Sequence, residues 1–88
     1  MKHIYILRNY VINDGCIEAD EVFAYSEKED AIKHFTECVL ETKELINSYD
    51  WEEEEVVHDD LYYCYCGYDK GYFPTNRIEI QVNKVKIL

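Results

Sequence analysis

The residues of this chain that could do chemistry are mostly carboxylates, and they concentrate in one stretch, YDWEEEEVVHDD, at residues 49–60. Its acidic members are Asp50, Glu52, Glu53, Glu54, Glu55, Asp59 and Asp60. Acid–base catalysis needs two carboxylates in unlike environments, whereas a continuous run of glutamates is typical of a solvated block of charge. Carboxylate oxygens here could hold Ca²⁺ or Mg²⁺ weakly, but the spacing is not that of an EF-hand. The stretch therefore indicates a charged surface.

The second candidate chemistry is a thiol or metal site centred on Cys64 and Cys66, which lie two apart in a predicted strand and hence on one face. Zinc takes four ligands in a tetrahedron, usually from two close pairs. Cys16, Cys38 and His58 would have to converge from three other elements. Small apolar thiols in a packed face are the simpler interpretation. We therefore predict no metal. We also predict no cofactor, because the sequence contains no glycine-rich loop that could bind phosphates.

Charge is distributed unevenly along the chain, whose formal net charge is −10. Residues 27–60 contain three basic and thirteen acidic groups, while residues 61–88 contain four basic and two acidic groups. Direct binding to nucleic acid is disfavoured because it needs a basic face. Binding to a basic protein is favoured electrostatically. No run approaches the roughly 20 apolar residues of a membrane span, and we predict a cytoplasmic protein with reduced cysteines.

The elements that must position these groups can be predicted from periodicity. Residues 3–12 and 16–25 are strand-like and flank Asn-Asp-Gly, which predicts a β-hairpin. Ser26 and Glu29 form a capping-box pattern that predicts the start of a helix. The helix should end near 48–50. Its apolar stripe is Ala31, Ile32, Phe35, Cys38, Val39, Leu45, Ile46 and Tyr49, with Thr42 as the polar member.

Two further strands are predicted at 61–68 and 76–88. In the second, the alternation of apolar residues changes phase after Val82, which predicts either a bulge near Asn83 or the end of the strand. The fold class is then α+β: a four-stranded antiparallel sheet with one amphipathic helix packed on one face, in the order β-β-α-β-β. Residues 1–88 form a single domain.

One helix covers only one face of such a sheet, yet the first and third predicted strands are apolar on both faces. A half-solvated sheet shows cleaner alternation. The second face is therefore expected to be covered by a symmetric copy or a partner, and a homodimer pairing through its sheet is one functional alternative. The other interpretation is that this face is simply exposed, because tyrosines tolerate water.

The acidic residues themselves suggest a partner-binding surface. Glu37, Glu41 and Glu44 recur at spacings of four and three and line one helix face. The following glutamates are expected to continue that face as one ridge, with Trp51 as an anchor beside it, since tryptophan is enriched at binding hot spots. The candidate partner-binding residues are Glu37, Glu41, Glu44, Asp50, Trp51, Glu52, Glu53, Glu54, Glu55, Asp59 and Asp60. The alternative is a solvated linker that keeps an aromatic-rich protein soluble.

A short, acidic, tyrosine-rich chain with one helix and a small antiparallel sheet resembles the anti-CRISPR proteins and other host-defence inhibitors of phages and mobile elements. The stretch YDWEEEEVVHDD and the helix-face glutamates carry this resemblance, which is one of style across the chain. It implies a stoichiometric, non-enzymatic inhibitor that imitates nucleic acid and blocks its access to a basic nuclease complex.

Overall fold

The computed structural model describes residues 2–58, 62–70 and 76–87. In chain order the elements are β1 (Lys2–Asn13), β2 (Cys16–Tyr25), α1 (Lys28–Tyr49), β3 (Glu52–His58), β4 (Tyr62–Tyr68) and β5 (Arg77–Ile87). The strands form one antiparallel sheet in the order β2-β1-β5-β4-β3. The predicted α+β class is confirmed. The predicted number of strands is wrong, because the described residues form five strands rather than four.

The first hairpin is confirmed with its turn. Asn13 pairs with Cys16, so only two residues connect the strands. Asp14 and Gly15 both have positive φ, 52° and 77°, as a type I′ turn requires. Glycine adopts that conformation without cost and aspartate tolerates it. This local chemistry sets the register of β1 against β2.

The helix begins and ends differently from the prediction. Its N-cap is Glu27, which makes no side-chain capping bond, so the predicted capping box of Ser26 and Glu29 is wrong. At the other end Asp50 adopts a left-handed conformation, and the Trp51 amide donates to the Ile46 carbonyl at 3.1 Å. This left-handed residue ends α1 at Tyr49, within the predicted range, and reverses the chain direction.

The fifth strand is β3, the stretch expected to continue the polar face of the helix. After the reversal at Asp50, residues 52–58 pair without interruption with β4, from Glu52 opposite Tyr68 to His58 opposite Tyr62. All seven residues of β3 are exposed. Glutamate is depleted in strands, and an edge strand exposed on both faces shows no apolar alternation. The sequence therefore contains little signal for it.

The core lies between α1 and the middle of the sheet. The buried residues of the helix are Ala31, Phe35, Cys38, Val39, Thr42 and Ile46. They pack on Leu7, Tyr65, Ile80 and Val82, each no more than 1% exposed. Most of the predicted stripe is therefore confirmed. Its C-terminal members Leu45 and Tyr49 are instead about half exposed.

The last strand contains no bulge at Asn83. Its pairing with β1 runs in continuous register from Arg77 opposite Ile12 to Ile87 opposite Lys2. The change of phase therefore has a different cause: Val82 faces the helix, whereas Val85 and Ile87 lie on the other face and are partly exposed. The one register shift in the described pairings lies between Val11 and Ile12, against β2.

No described helix or strand packs on the sheet face opposite α1, which we call the open face, although Cys64, Cys66 and Glu79 on this face are buried among the side chains around them. Among the described residues, no helix is both long and apolar enough to cross a membrane.

The close approach of α1 to β4 at Gly67 gives a stability prediction. A Cβ atom at Gly67 would lie 2.7 Å from Ile46 Cγ2, so Gly67→Ala should destabilise the fold by about 1–3 kcal/mol through overpacking. Ile46→Ala should cost about 2–5 kcal/mol by opening a cavity.

The double variant should lose less stability than the sum of the two single losses, because the new methyl group occupies part of the vacated space. Urea unfolding of the four proteins, followed by Trp51 fluorescence, measures this. If the two losses of stability add fully in the double variant, Gly67 and Ile46 are not in close contact.

Candidate acidic interface

The strand acids, Glu52–Glu55, occupy the outer edge of the sheet and point alternately to its two faces. Glu53 and Glu55 lie opposite Gly67 and Tyr65 and share the helix-covered face. Glu52 and Glu54 lie on the open face. The edge therefore carries two short rows of carboxylate, one on each side of a single strand.

Two tyrosines of β4 hold two of these carboxylates in place. The Tyr65 hydroxyl donates to a carboxylate oxygen of Glu53, and the Tyr68 hydroxyl donates to Glu54 at 3.0 Å. Burial, followed by the bond to Glu53, raises the pKa of Tyr65 above its usual value. The bond to Glu54 is the main cause that raises the pKa of Tyr68. Glu53 and Glu54 face opposite sides, so each row has one oriented member.

The helix acids, Glu37, Glu41 and Glu44, do not continue into the strand acids as one ridge. Burial is the main cause that raises the pKa of the Cys38 thiol, and the carboxylates of Glu41, of Glu21 in β2 and of Glu37 raise it further. Strands β2 and β3 are the two opposite edges of the sheet. The chain reverses at Asp50 before β3, so the continuous ridge predicted from sequence is wrong, although the helix acid Glu44 meets the strand acid Glu53 at the groove described below.

Lysines of α1 lie over β4. The Lys43 ammonium is 5.6 Å from the centre of the Tyr65 ring, and the Lys28 ammonium is 5.8 Å from that of Tyr63. A cation near an aromatic face is attracted by the ring quadrupole. Lys43 also lines the groove in which Glu44 and Glu53 meet, so positive charge lies among these acids.

Four of the predicted site residues nevertheless meet at the C-terminal end of α1. Glu44, Asp50, Trp51 and Glu53 line a groove of about 440 Å³. Trp51 is half-buried against the core, and its ring centre is 5.2 Å from that of Tyr49. The Asp50 side chain is 92% exposed and lies 3.3 Å from the Lys70 ammonium. An aromatic side chain with carboxylates around it can accept an apolar or cationic group of a partner.

A second groove, of about 450 Å³, lies on the other side of Trp51. Its lining includes Leu45 and Tyr49, the two stripe residues that the sheet leaves exposed. Trp51 therefore stands between an acidic groove and a more apolar one. Asp59 and Asp60, the remaining predicted site residues, lie outside the described residues.

The residues that sequence reasoning missed are the tyrosines that orient the carboxylates. Tyr65 and Tyr68 are distant from Glu53 and Glu54 along the chain, and only the cross-strand register brings them together. Nine tyrosines are present, and no spacing distinguishes these two. Recognition of β3 as a strand would have been needed first.

The two cysteines of β4, Cys64 and Cys66, are buried free thiols. Cys64 and Cys66 are buried on the face of β4 that points away from α1, and burial raises the pKa of the Cys66 thiol. The Cys64 thiol donates to Glu79 Oε1 at 3.3 Å, and that carboxylate also pairs with Arg77 at 3.1 Å. Within the described ranges, no group of three or more histidine, cysteine or acidic residues is arranged to hold a metal ion.

Comparison with known proteins adds no assignment: no protein-family model, no curated protein and no solved structure matches this chain. Function must therefore be argued from the geometry of the molecule.

The raised pKa of Tyr65, caused first by burial and then by the bond to Glu53, predicts how stability depends on pH. Because the pKa of Tyr65 is raised, the folded state holds the phenolic proton more tightly than the unfolded chain does. That contribution is complete below the ordinary tyrosine pKa of 10.0 and is lost as the pH rises above it. The wild type should therefore lose free energy of unfolding above this pH more steeply than Tyr65→Phe.

Urea unfolding at a series of pH values measures the two slopes. Tyr62, whose pKa is raised to about 12 chiefly by its hydrogen bond to Cys64, adds a slope of the same sign to both proteins. The surface control Leu40→Ala changes no titratable group and should retain the wild-type slope. Equal slopes for the wild type and Tyr65→Phe would show that the pKa of Tyr65 is not raised in the folded state.

Proposed function

We propose that this protein is a non-enzymatic acidic binding protein that engages a basic protein partner through its strand acids, its helix acids and the groove at Trp51. The observation that carries the proposal is the presentation of four consecutive glutamates on an edge strand exposed along its whole length. A protein that only needed solubility could scatter such charge. Here backbone pairing and two tyrosine hydroxyls hold it in an ordered array.

The spacing of that array supports imitation of nucleic acid. A strand rises about 3.3 Å per residue, so the strand acids place one negative charge every 3.3 Å or so along the edge. A single strand of duplex DNA places one phosphate every 3.4 Å or so along the helix axis. An extended run of glutamates therefore matches the linear charge density of one nucleic-acid strand. On this basis the partner surface would be one that otherwise binds phosphates, such as the groove of a nuclease complex, and the protein would act as its inhibitor.

The local environments favour binding over catalysis. The four strand acids are all exposed on one strand, whereas acid–base catalysis separates the pKa values of two carboxylates by unlike surroundings. Trp51 supplies an aromatic anchor beside these charges. Binding energy concentrates in a few buried aromatic or arginine anchors that are surrounded by weaker polar contacts.

The decisive test replaces the four strand acids with glutamine. The variant E52Q/E53Q/E54Q/E55Q keeps side-chain size and removes the charge. A basic protein captured from a nucleic-acid-binding fraction should bind it at least about tenfold more weakly than the wild type, a loss of 1.4 kcal/mol or more. Calorimetry against the purified partner gives the affinities, and duplex DNA should compete with the wild type for that partner.

The matched variant E37Q/E41Q/E44Q removes the helix acids and leaves β3 unchanged. Its loss of affinity measures the separate contribution of the helix surface. If the strand variant binds as tightly as the wild type, the strand acids are not the binding surface. If duplex DNA does not compete, the imitation of nucleic acid fails even where binding persists.

A second candidate function is self-association through the open face. Val22, Val85 and Ile87 lie on this face and are 61%, 42% and 41% exposed. The charges near its middle are largely paired, Arg8 with Asp20 at 3.0 Å and Arg77 with Glu79 at 3.1 Å. This face is therefore closer to neutral than the chain as a whole, which makes a second copy a compatible occupant.

Light scattering and sedimentation between about 1 and 100 μM test this candidate, a range that brackets a micromolar dissociation constant. Val85→Lys should shift the protein towards the monomer because the interface would then bury two unpaired charges. Leu40→Lys, on the exposed side of α1, is the matched control and should not. A wild type that remains monomeric throughout would rule the dimer out.

A further inference from the structure

The outer edge of β3 is free of any strand in the described part of the chain. Its inner edge pairs with β4 along all seven residues, whereas no described backbone group pairs with its outer edge. Such an edge presents a row of peptide donors and acceptors that can template another strand. Addition of an extended peptide to an exposed edge is a general mode of recognition.

The two edges of the sheet differ in how well they could accept a strand. The pairing of β2 with β1 is interrupted by the register shift between Val11 and Ile12, and bulges of this kind are a common means of blunting an edge. The pairing of β3 with β4 has no interruption. Of the two, β3 is the regular template, about 23 Å long at the usual rise of a strand.

The charges of β3 select what can pair with it. A second copy of β3 would bring its glutamates close to these glutamates, and like charges opposite one another destabilise a sheet. A strand with lysine or arginine opposite the strand acids would gain a cross-strand ion pair at each position. Because the glutamates alternate between the two faces, consecutive basic residues of an added strand are all matched. Val56 and Val57 continue the template with two β-branched positions.

We propose that β3 takes up an extended basic segment of its partner as a sixth strand of the sheet. The segment would contain about four consecutive lysine or arginine residues beside a short apolar pair, the pattern complementary to Glu52–Val57. Such segments repel themselves, are extended when free and are typical of arms that bind nucleic acid. The inference rests on the proposed function and specifies how the partner is held.

The tyrosine contacts support this mode of binding. Tyr65 and Tyr68 orient one carboxylate on each face of β3 before any partner arrives. Less side-chain freedom is then lost when the added strand forms its ion pairs. Each carboxylate keeps acceptor capacity beyond the single tyrosine bond, since an ionised carboxylate offers about four lone-pair sites.

The test uses a synthetic peptide, acetyl-Thr-Val-Val-Lys-Lys-Lys-Lys-amide, and its reversed sequence for the parallel orientation. One of them should bind the wild type, and hydrogen exchange followed by NMR should show new protection at every second amide of β3. Alternate protection is expected because only alternate amides of an edge strand point outwards.

Two N-methylated forms of the peptide that binds provide the matched control. One is methylated on the odd residues and the other on the even residues, so both keep the charge. In an added strand only one set of amides pairs with β3, and methylation of that set should weaken binding at least tenfold while methylation of the other set has little effect. If the peptide bound through its side chains alone, both methylated forms would bind as tightly as the unmethylated peptide.

The outcomes separate the inference from the function on which it rests. Equal binding of the two methylated peptides, unprotected β3 amides or no peptide binding would overturn strand addition, while the purified basic partner could still bind through side chains. If that partner binds E52Q/E53Q/E54Q/E55Q as tightly as the wild type, the proposed function falls as well. The methylated peptides are measured on the wild type, so the test does not depend on a variant that folds.

Discussion

The pairing of β1 with β5 is the interaction on which the rest of the structure depends. It joins the two ends of the chain along nearly their whole length and places them at the centre of the sheet. Leu7, Ile80 and Val82 then form the floor on which the helix packs. Because the centre is occupied by β1 and β5, the remaining strands must lie outside them. The acidic strand β3 thereby becomes an edge, with its carboxylates in solvent.

Placing acidity at an edge has two physical consequences. Glutamate on an edge strand keeps its charge hydrated, whereas in a central strand it would have to be desolvated and paired, as Glu79 is with Arg77. Charge also protects the edge from pairing with its own copies. On the proposed function, the same charge would make β3 selective for a basic partner. Hydrogen bonds from Tyr65 and Tyr68 convert a mobile row of side chains into a partly ordered one.

Local chemistry was predictable and long-range pairing was not. The Asp14–Gly15 turn follows from backbone preference, and the helix stripe follows from the helical period. The capping pattern at Ser26 was misleading because Glu27 occupies the N-cap. Strand β3 was missed because four glutamates carry no alternation and little β-propensity. The bulge expected at Asn83 is also absent. Val85 lies on the face of the sheet opposite α1 and is partly exposed, and the sequence alone could not assign it to that face.

The sequence by itself determined the class of fold, the first hairpin, the helix and the concentration of negative charge in the middle of the chain, since each depends on neighbours within a few residues. Only the tertiary structure decided how that charge is presented. The left-handed turn at Asp50 places the strand acids on an edge strand and not on an extension of the helix, and the β3–β4 register gives Glu53 and Glu54 their tyrosine partners. These outcomes depend on contacts between distant segments, whose geometry exists only once the core has formed.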